Sequence, residues 1–127
     1  MDTTLVKKVV LVIEDDPPLR EALYDKLTRE GFSVFLAKNG EEGLALALRE
    51  HPDLVLLDLL MPKMGGIEMA RQLRADAWGK EAKVIILTNV TDLEHVSTAL
   101  DEKVFDYLVK ADTPLDELVT KIREVTG

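Results

Sequence analysis

The chain has 127 residues, 46% of them hydrophobic and 31% charged, a formal net charge of −8 and no cysteine. These numbers fit one domain with a proper core, expected to span 1–127, and exclude a disordered chain, disulfides and thiolate metal sites. The acidic balance opposes direct nucleic-acid binding, which relies on Lys and Arg set against phosphates.

The N-terminal stretch MDTTLVKKVVLVIEDD has only the short apolar run VVLVI (9–13) before acids intervene. That is too short for a signal-peptide core or a membrane span, so a cytoplasmic location without membrane partners is expected. VVLVI predicts the first strand, ended by Glu14, Asp15 and Asp16. Asp16 as cap and Pro17 at the first turn open a helix. Its inner face would be Leu19, Ala22, Leu23 and Leu27, and Gly31 would stop it. SVFLA (33–37) is the second strand. Asn39 and Glu42 begin the second helix, which runs to the residues before Pro52. LVLLD (54–58) is the third strand and ends on Asp58. Met61 and Pro62 shape the turn that follows. Gly65 and Gly66 then open a helix marked by Ile67, Ala70 and Leu73. Trp78 anchors the loop before KVIILT (83–88), the fourth strand. Thr91 and Glu94 form a capping box for a fourth helix with Leu93, Val96 and Leu100 inward. FDYLVK (105–110) is the fifth strand. Thr113, Pro114 and Asp116 open the last helix, with Leu115, Leu118, Val119, Ile122 and Val125 inward. His51 and His95 read as surface residues.

Strand–helix alternation repeated five times predicts an α/β fold, a five-stranded parallel sheet with right-handed crossovers and helices on both faces. Ligands in such sheets sit beyond the carboxyl ends of the strands. Glu14, Asp15, Asp58, Thr88 and Lys110 all fall at that edge. Adjacent carboxylates repel unless a cation neutralises them. Mg²⁺ suits them best, with Mn²⁺ as a possible substitute, because Mg²⁺ needs few protein oxygens and leaves sites for water and phosphate. Asp58 then reads as a nucleophile forming an aspartyl phosphate. The Lys110 ammonium would balance the charge of the transferring group, and the Thr88 hydroxyl would donate to one of its oxygens.

The set E-D-D after strand 1, D-x-x-M-P after strand 3, T after strand 4 and Y-x-x-K at strand 5 resembles the receiver domain of two-component response regulators, over essentially the whole chain. The resemblance implies a flavodoxin-like, doubly wound (βα)5 fold with strand order 2-1-3-4-5. It implies a sensor histidine kinase or histidine phosphotransfer protein as donor to Asp58. It also implies Mg²⁺ held by Asp15, Asp58 and the backbone carbonyl of Leu60, with Glu14 acting mainly through water. Thr88 and Tyr107 would change position on phosphorylation. The surface of helix 4, strand 5 and helix 5 would report the state to a fused output domain or a downstream output protein. A weak homodimer, if the chain is not a monomer, would use that surface. Such a domain catalyses its own phosphorylation and dephosphorylation without being a conventional enzyme.

Four positions bear on how the resemblance applies. Ala111 stands where proline, often cis, is usual, so a trans bond is expected. Asn89 stands where a small residue is usual, and its bulk would narrow the pocket. Leu60 and Val90 are apolar where side chains of this family tune lifetime, so slow loss of the phosphoryl group is expected. Other classes fit less well. EDDPP after strand 1 would repel a flavin phosphate, and neither GxGxxG nor GxxxxGK[ST] occurs. A haloacid-dehalogenase-like phosphatase wants an acid where Leu60 stands. A phosphorylation-independent interaction module or an engineered scaffold on the same fold stays open at this level.

Overall fold

In the computed structural model, residues 6–90, 97–98 and 103–127 are described. Five parallel strands, β1 (Val9–Ile13), β2 (Ser33–Ala37), β3 (Leu54–Leu57), β4 (Val84–Thr88) and β5 (Asp106–Val109), lie in the order β2-β1-β3-β4-β5. Four α-helices lie wholly among the described residues: α1 (Pro17–Arg29), α2 (Gly40–Glu50), α3 (Gly66–Arg74) and α4 (Leu115–Thr126); residues 97–98 are also helical. Short 3₁₀ turns cover Gly79–Glu81 and Lys110–Asp112. Of the predicted helix after β4, Thr91, Leu93, Glu94, His95, Val96 and Leu100 lie outside the described residues.

The central strands are buried at every residue but Val9 because helices cover both faces. Strand side chains alternate between faces. Leu11, Ile13, Val55, Leu57, Val84 and Ile86 meet Ala47 of α2 and Met69, Ala70 and Leu73 of α3 on one side. Val10, Val12, Leu54, Leu56, Ile85 and Leu87 meet Leu23 and Leu27 of α1 and Leu118, Val119 and Ile122 of α4 on the other. The sequence patterns therefore built two cores rather than one.

The first helix departs from expectation in two places, Asp16 and Ala22. Asp16 occupies the cap position of α1, but its side chain makes no capping bond. A cap serves the N–H groups two and three residues on, and Pro18 has none to offer, which leaves that of Leu19 alone. Ala22 is exposed; α1 buries the narrow row Leu23 and Leu27, and each step along a helix turns by about 100°. Thr113 does not cap α4: the cap residue is Pro114, and the Thr113 hydroxyl donates to the Val109 carbonyl at 2.9 Å. The Asn39 cap is as expected, accepting from the Glu42 N–H at 2.8 Å, while the Glu42 carboxylate accepts from the Lys38 N–H at 3.1 Å. No peptide bond among the described residues is cis, Lys110–Ala111 included.

Two glycines seat helix ends against the loop that follows β3. A Cβ on Gly66 would lie 2.1 Å from the Asp58 carbonyl oxygen, and one on Gly40 would lie 2.2 Å from the Met64 carbonyl oxygen. Only residues without Cβ permit that approach. The Gly40 N–H donates to the Met64 carbonyl at 3.0 Å, and Lys63 and Met64 both take left-handed backbone angles, φ 49° and 77°. The turn after Asp58 is thus fixed from two sides.

Candidate functional site

Strand register brings the acids together. Ile13 is paired with Leu57, so the next residues, Glu14 and Asp58, are neighbours at the carboxyl edge. The Asp58 N–H donates to the Ile13 carbonyl at 3.2 Å. Thr88 is paired with Val109, which sets Lys110 just beyond the same edge. Carboxylate oxygens of Glu14, Asp15 and Asp58 lie within 4.8 Å of one another. Glu14 and Asp58 are buried, at 2% and 5% exposure, whereas Asp15 faces solvent. Hard oxygen donors so close, one of them open to water, fit a divalent cation.

The Lys110 ammonium bridges the two buried acids, 2.8 Å from Glu14 Oε1 and 2.8 Å from Asp58 Oδ2. Asp58 Oδ1 accepts from the Leu59 N–H at 2.7 Å. Glu14 Oε2 accepts from the Asp16 N–H at 3.1 Å. The Arg20 guanidinium donates to the Glu14 carbonyl at 2.9 Å, a contact between α1 and the site that sequence reasoning missed. One turn of helix separates Arg20 from the cap residue, and nothing in its local pattern marks it.

Burial pushes the Glu14 carboxyl above its ordinary pKa; hydrogen bonds from Lys110 and the Asp16 N–H oppose this, and the Asp58 charge adds to it. Burial pulls the Lys110 ammonium down, but hydrogen bonds to Asp58 and Glu14 outweigh it and the net direction is up. The pair is asymmetric because the Glu14 side chain keeps 2% of its exposure and that of Lys110 keeps 17%. Desolvation prevails at the acid, and hydrogen bonding at the amine.

Thr88 is buried at the end of β4, and its hydroxyl accepts from the Val90 N–H at 3.4 Å. The Tyr107 hydroxyl donates to the Val90 carbonyl at 2.6 Å. Val90 therefore joins Thr88 to Tyr107 through its own peptide groups. Leu60 lies two residues past Asp58 and is 61% exposed. Asn89 is exposed, and its Oδ1 accepts from the Ala111 N–H at 3.2 Å. It was expected as bulk at the pocket mouth; it also ties two loops together.

At the opposite edge of the sheet, His51 and Trp78 stack with ring centroids 4.3 Å apart and planes 7° from parallel. Trp78 anchors its loop as expected, and exposed His51 is its partner.

The site has counterparts elsewhere. The family described as "Response regulator receiver domain" matches residues 10–123. The DNA-binding response regulator MtrA of Mycolicibacterium smegmatis is 39% identical over 123 residues, 97% of this chain and 51% of that protein. Response regulator MprA of Mycobacterium leprae is 37% identical over 114 residues, 90% of this chain and 49% of that protein. The chain spans about half the length of these curated relatives. Among solved structures, a CheY-like receiver domain protein from Methanospirillum hungatei has a TM-score of 0.87 at 28% identity, covering 94% of this chain and 93% of that one. Response regulator TrrA from Thermotoga maritima, solved in complex with Mg(2+)-BeF, has a TM-score of 0.81 at 35% identity, covering 93% of this chain and 98% of that one.

Proposed function

This chain belongs to the response regulator receiver domain family of two-component systems, and from that premise we propose that Asp58 is its phosphoacceptor. The convergence of Glu14, Asp15 and Lys110 on Asp58 carries the reading. The donor is a sensor histidine kinase or a histidine phosphotransfer protein. An Asp58 carboxylate oxygen forms the new O–P bond while the donor's P–N bond breaks, and the electron pair returns to the donor imidazole. Lys110 lies within hydrogen-bond reach of the attacking carboxylate, where its charge offsets the negative charge of the arriving group.

Mg²⁺, with Mn²⁺ as substitute, is the cofactor. Asp15, Asp58 and the Leu60 carbonyl would hold it, and Glu14 would act through water. When bound, the ion supplies the positive charge that draws phosphoryl oxygens into an otherwise anionic pocket. Thr88 and Tyr107 form the switch, linked through Val90. Residues 1–127 make one receiver unit, cytoplasmic, monomeric or weakly dimeric, that acts on a fused or separate output partner. No helix among the described residues is long and apolar enough to cross a membrane. The inert-module alternative is disfavoured by a complete acid–lysine set in bonding contact.

The test is phosphotransfer from autophosphorylated kinases of the source genome in Mg²⁺ buffer, followed by intact mass. One phosphoryl group should be gained and should vanish in Asp58→Ala. No gain with any donor, or a gain that survives that substitution, would refute the assignment.

A further inference from the structure

Asn89 and Ala111 hold a contact that crosses from one loop to another. Thr88 and Val109 are paired in the sheet, so the residues that follow, Asn89 and Lys110, leave it side by side. From there the Asn89 amide oxygen reaches over Lys110 and accepts the Ala111 N–H at 3.2 Å. That N–H belongs to the peptide unit whose carbonyl is Lys110's. The same carbonyl accepts from the Thr113 N–H at 3.4 Å. One rigid plane is therefore held at both ends. The Thr113 hydroxyl, donating to the Val109 carbonyl at 2.9 Å, fixes the plane before it. Between the two planes stands the Lys110 side chain, which crosses the pocket to Glu14 and Asp58. The Lys110 stem is long and flexible, and its ordering depends on how its backbone is anchored.

We propose that Asn89 is a positioning residue for phosphoryl transfer: its side-chain amide fixes the Lys110–Ala111 peptide and so aims the Lys110 ammonium at Asp58. The inference rests on Asp58 as phosphoacceptor. It differs from a role for Asn89 as bulk at the pocket mouth, and the two roles have opposite consequences. Removing bulk eases donor entry and lowers the donor concentration for half-saturation. Removing an aiming contact leaves donor entry alone and lowers the limiting rate, because charge stabilisation by Lys110 is needed in the transition state.

Asn89→Ala removes the acceptor, and Asn89→Asp keeps an acceptor oxygen in nearly the same volume. Ala111→Pro removes the donor, because proline has no N–H. Phosphorylation by phosphoramidate at saturating Mg²⁺ gives the limiting rate and the half-saturating donor concentration. Amide NMR gives the Ala111 signal. For Asn89→Ala, the limiting rate should fall by about twofold to tenfold, the span of one hydrogen bond's net contribution. Half-saturation should stay put, and the Ala111 amide resonance should move upfield. Asn89→Asp should restore the amide resonance and most of the rate. Adding Ala111→Pro to Asn89→Ala should cost nothing further. An unchanged or faster limiting rate in Asn89→Ala, or an Ala111 amide resonance that stays put in that variant, overturns the inference even if proline disturbs the loop. A wild-type protein that gains no phosphoryl group from any donor instead refutes the reading beneath it.

Discussion

Leu60 is an apolar side chain held out in water two residues past Asp58. Neither it nor buried Val90 has a group that orients water toward an acyl phosphate. Phosphorylated protein should therefore decay slowly, and Leu60→Glu, which adds such a group, should shorten the lifetime on the order of tenfold. Following the phosphoprotein in Mg²⁺ buffer by intact mass measures both. Glu14 makes a second prediction. Its folded pKa is raised above 4.5, chiefly by burial, so the folded chain keeps a proton that the unfolded chain releases. Stability in metal-free buffer should fall as pH rises from 4.5 through the folded value. Glu14→Gln should lack that fall in urea melts taken across the window. At this scale the acids, Thr88 and Lys110 were legible because each ends an apolar run. The Arg20–Glu14 and Asn89–Ala111 contacts were not, because they depend on how two loops meet after the strands are in register.

Elements meet through charges as well as through the cores. Lys26 of α1 pairs with Asp116 of α4, and Arg123 of α4 pairs with Glu30, which follows α1, at 2.7 Å. Arg123 also lies over the Phe32 ring, 5.3 Å from its centroid. The hydrogen bond from Arg123 lowers the Glu30 pKa, and that from Lys26 lowers the Asp116 pKa. Depressed acids stabilise the fold above their unfolded values, 4.5 and 3.8, and that stability is lost as pH falls through the folded ones. A Glu30→Gln, Asp116→Asn double variant should lose less stability than wild type from about pH 5 to pH 3, as read by thermal melts. Equal slopes would mean that the α1–α4 ion pairs contribute nothing. Gly66 couples α3 to the strand that leads into Asp58 more directly. Gly66→Ala should force α3 away from the Asp58 carbonyl and cost about 1–3 kcal/mol in urea unfolding. Helix existence was legible from apolar spacing; the idle Asp16 cap was missed, since Pro18 removes one of the two donors such a cap serves and leaves only the Leu19 N–H.

For the molecule as a whole, the parallel sheet and the site's place at its carboxyl edge followed from alternation, while the strand order, observed as β2-β1-β3-β4-β5, came only with the family resemblance. The division into two cores was implicit in the two-residue period of the strands. A cation bound only by the folded chain shifts the folding equilibrium. Mg²⁺ at about ten times its Kd should add about 1.4 kcal/mol, or about 5 °C in melting temperature for a domain of this size. Asp15→Asn should abolish the gain, and an unchanged melting temperature in wild type would contradict the ion site.

Trp78 is the chain's one tryptophan, and its stack on His51 seats it at the amino edge of the sheet, away from Asp58. Its fluorescence therefore reports whether the far side of the domain is intact and carries little trace of what happens at Asp58. Indole emission is a clean gauge of denaturation here, while titrations of the acidic pocket call for a dye or an isotope placed near β4 and β5.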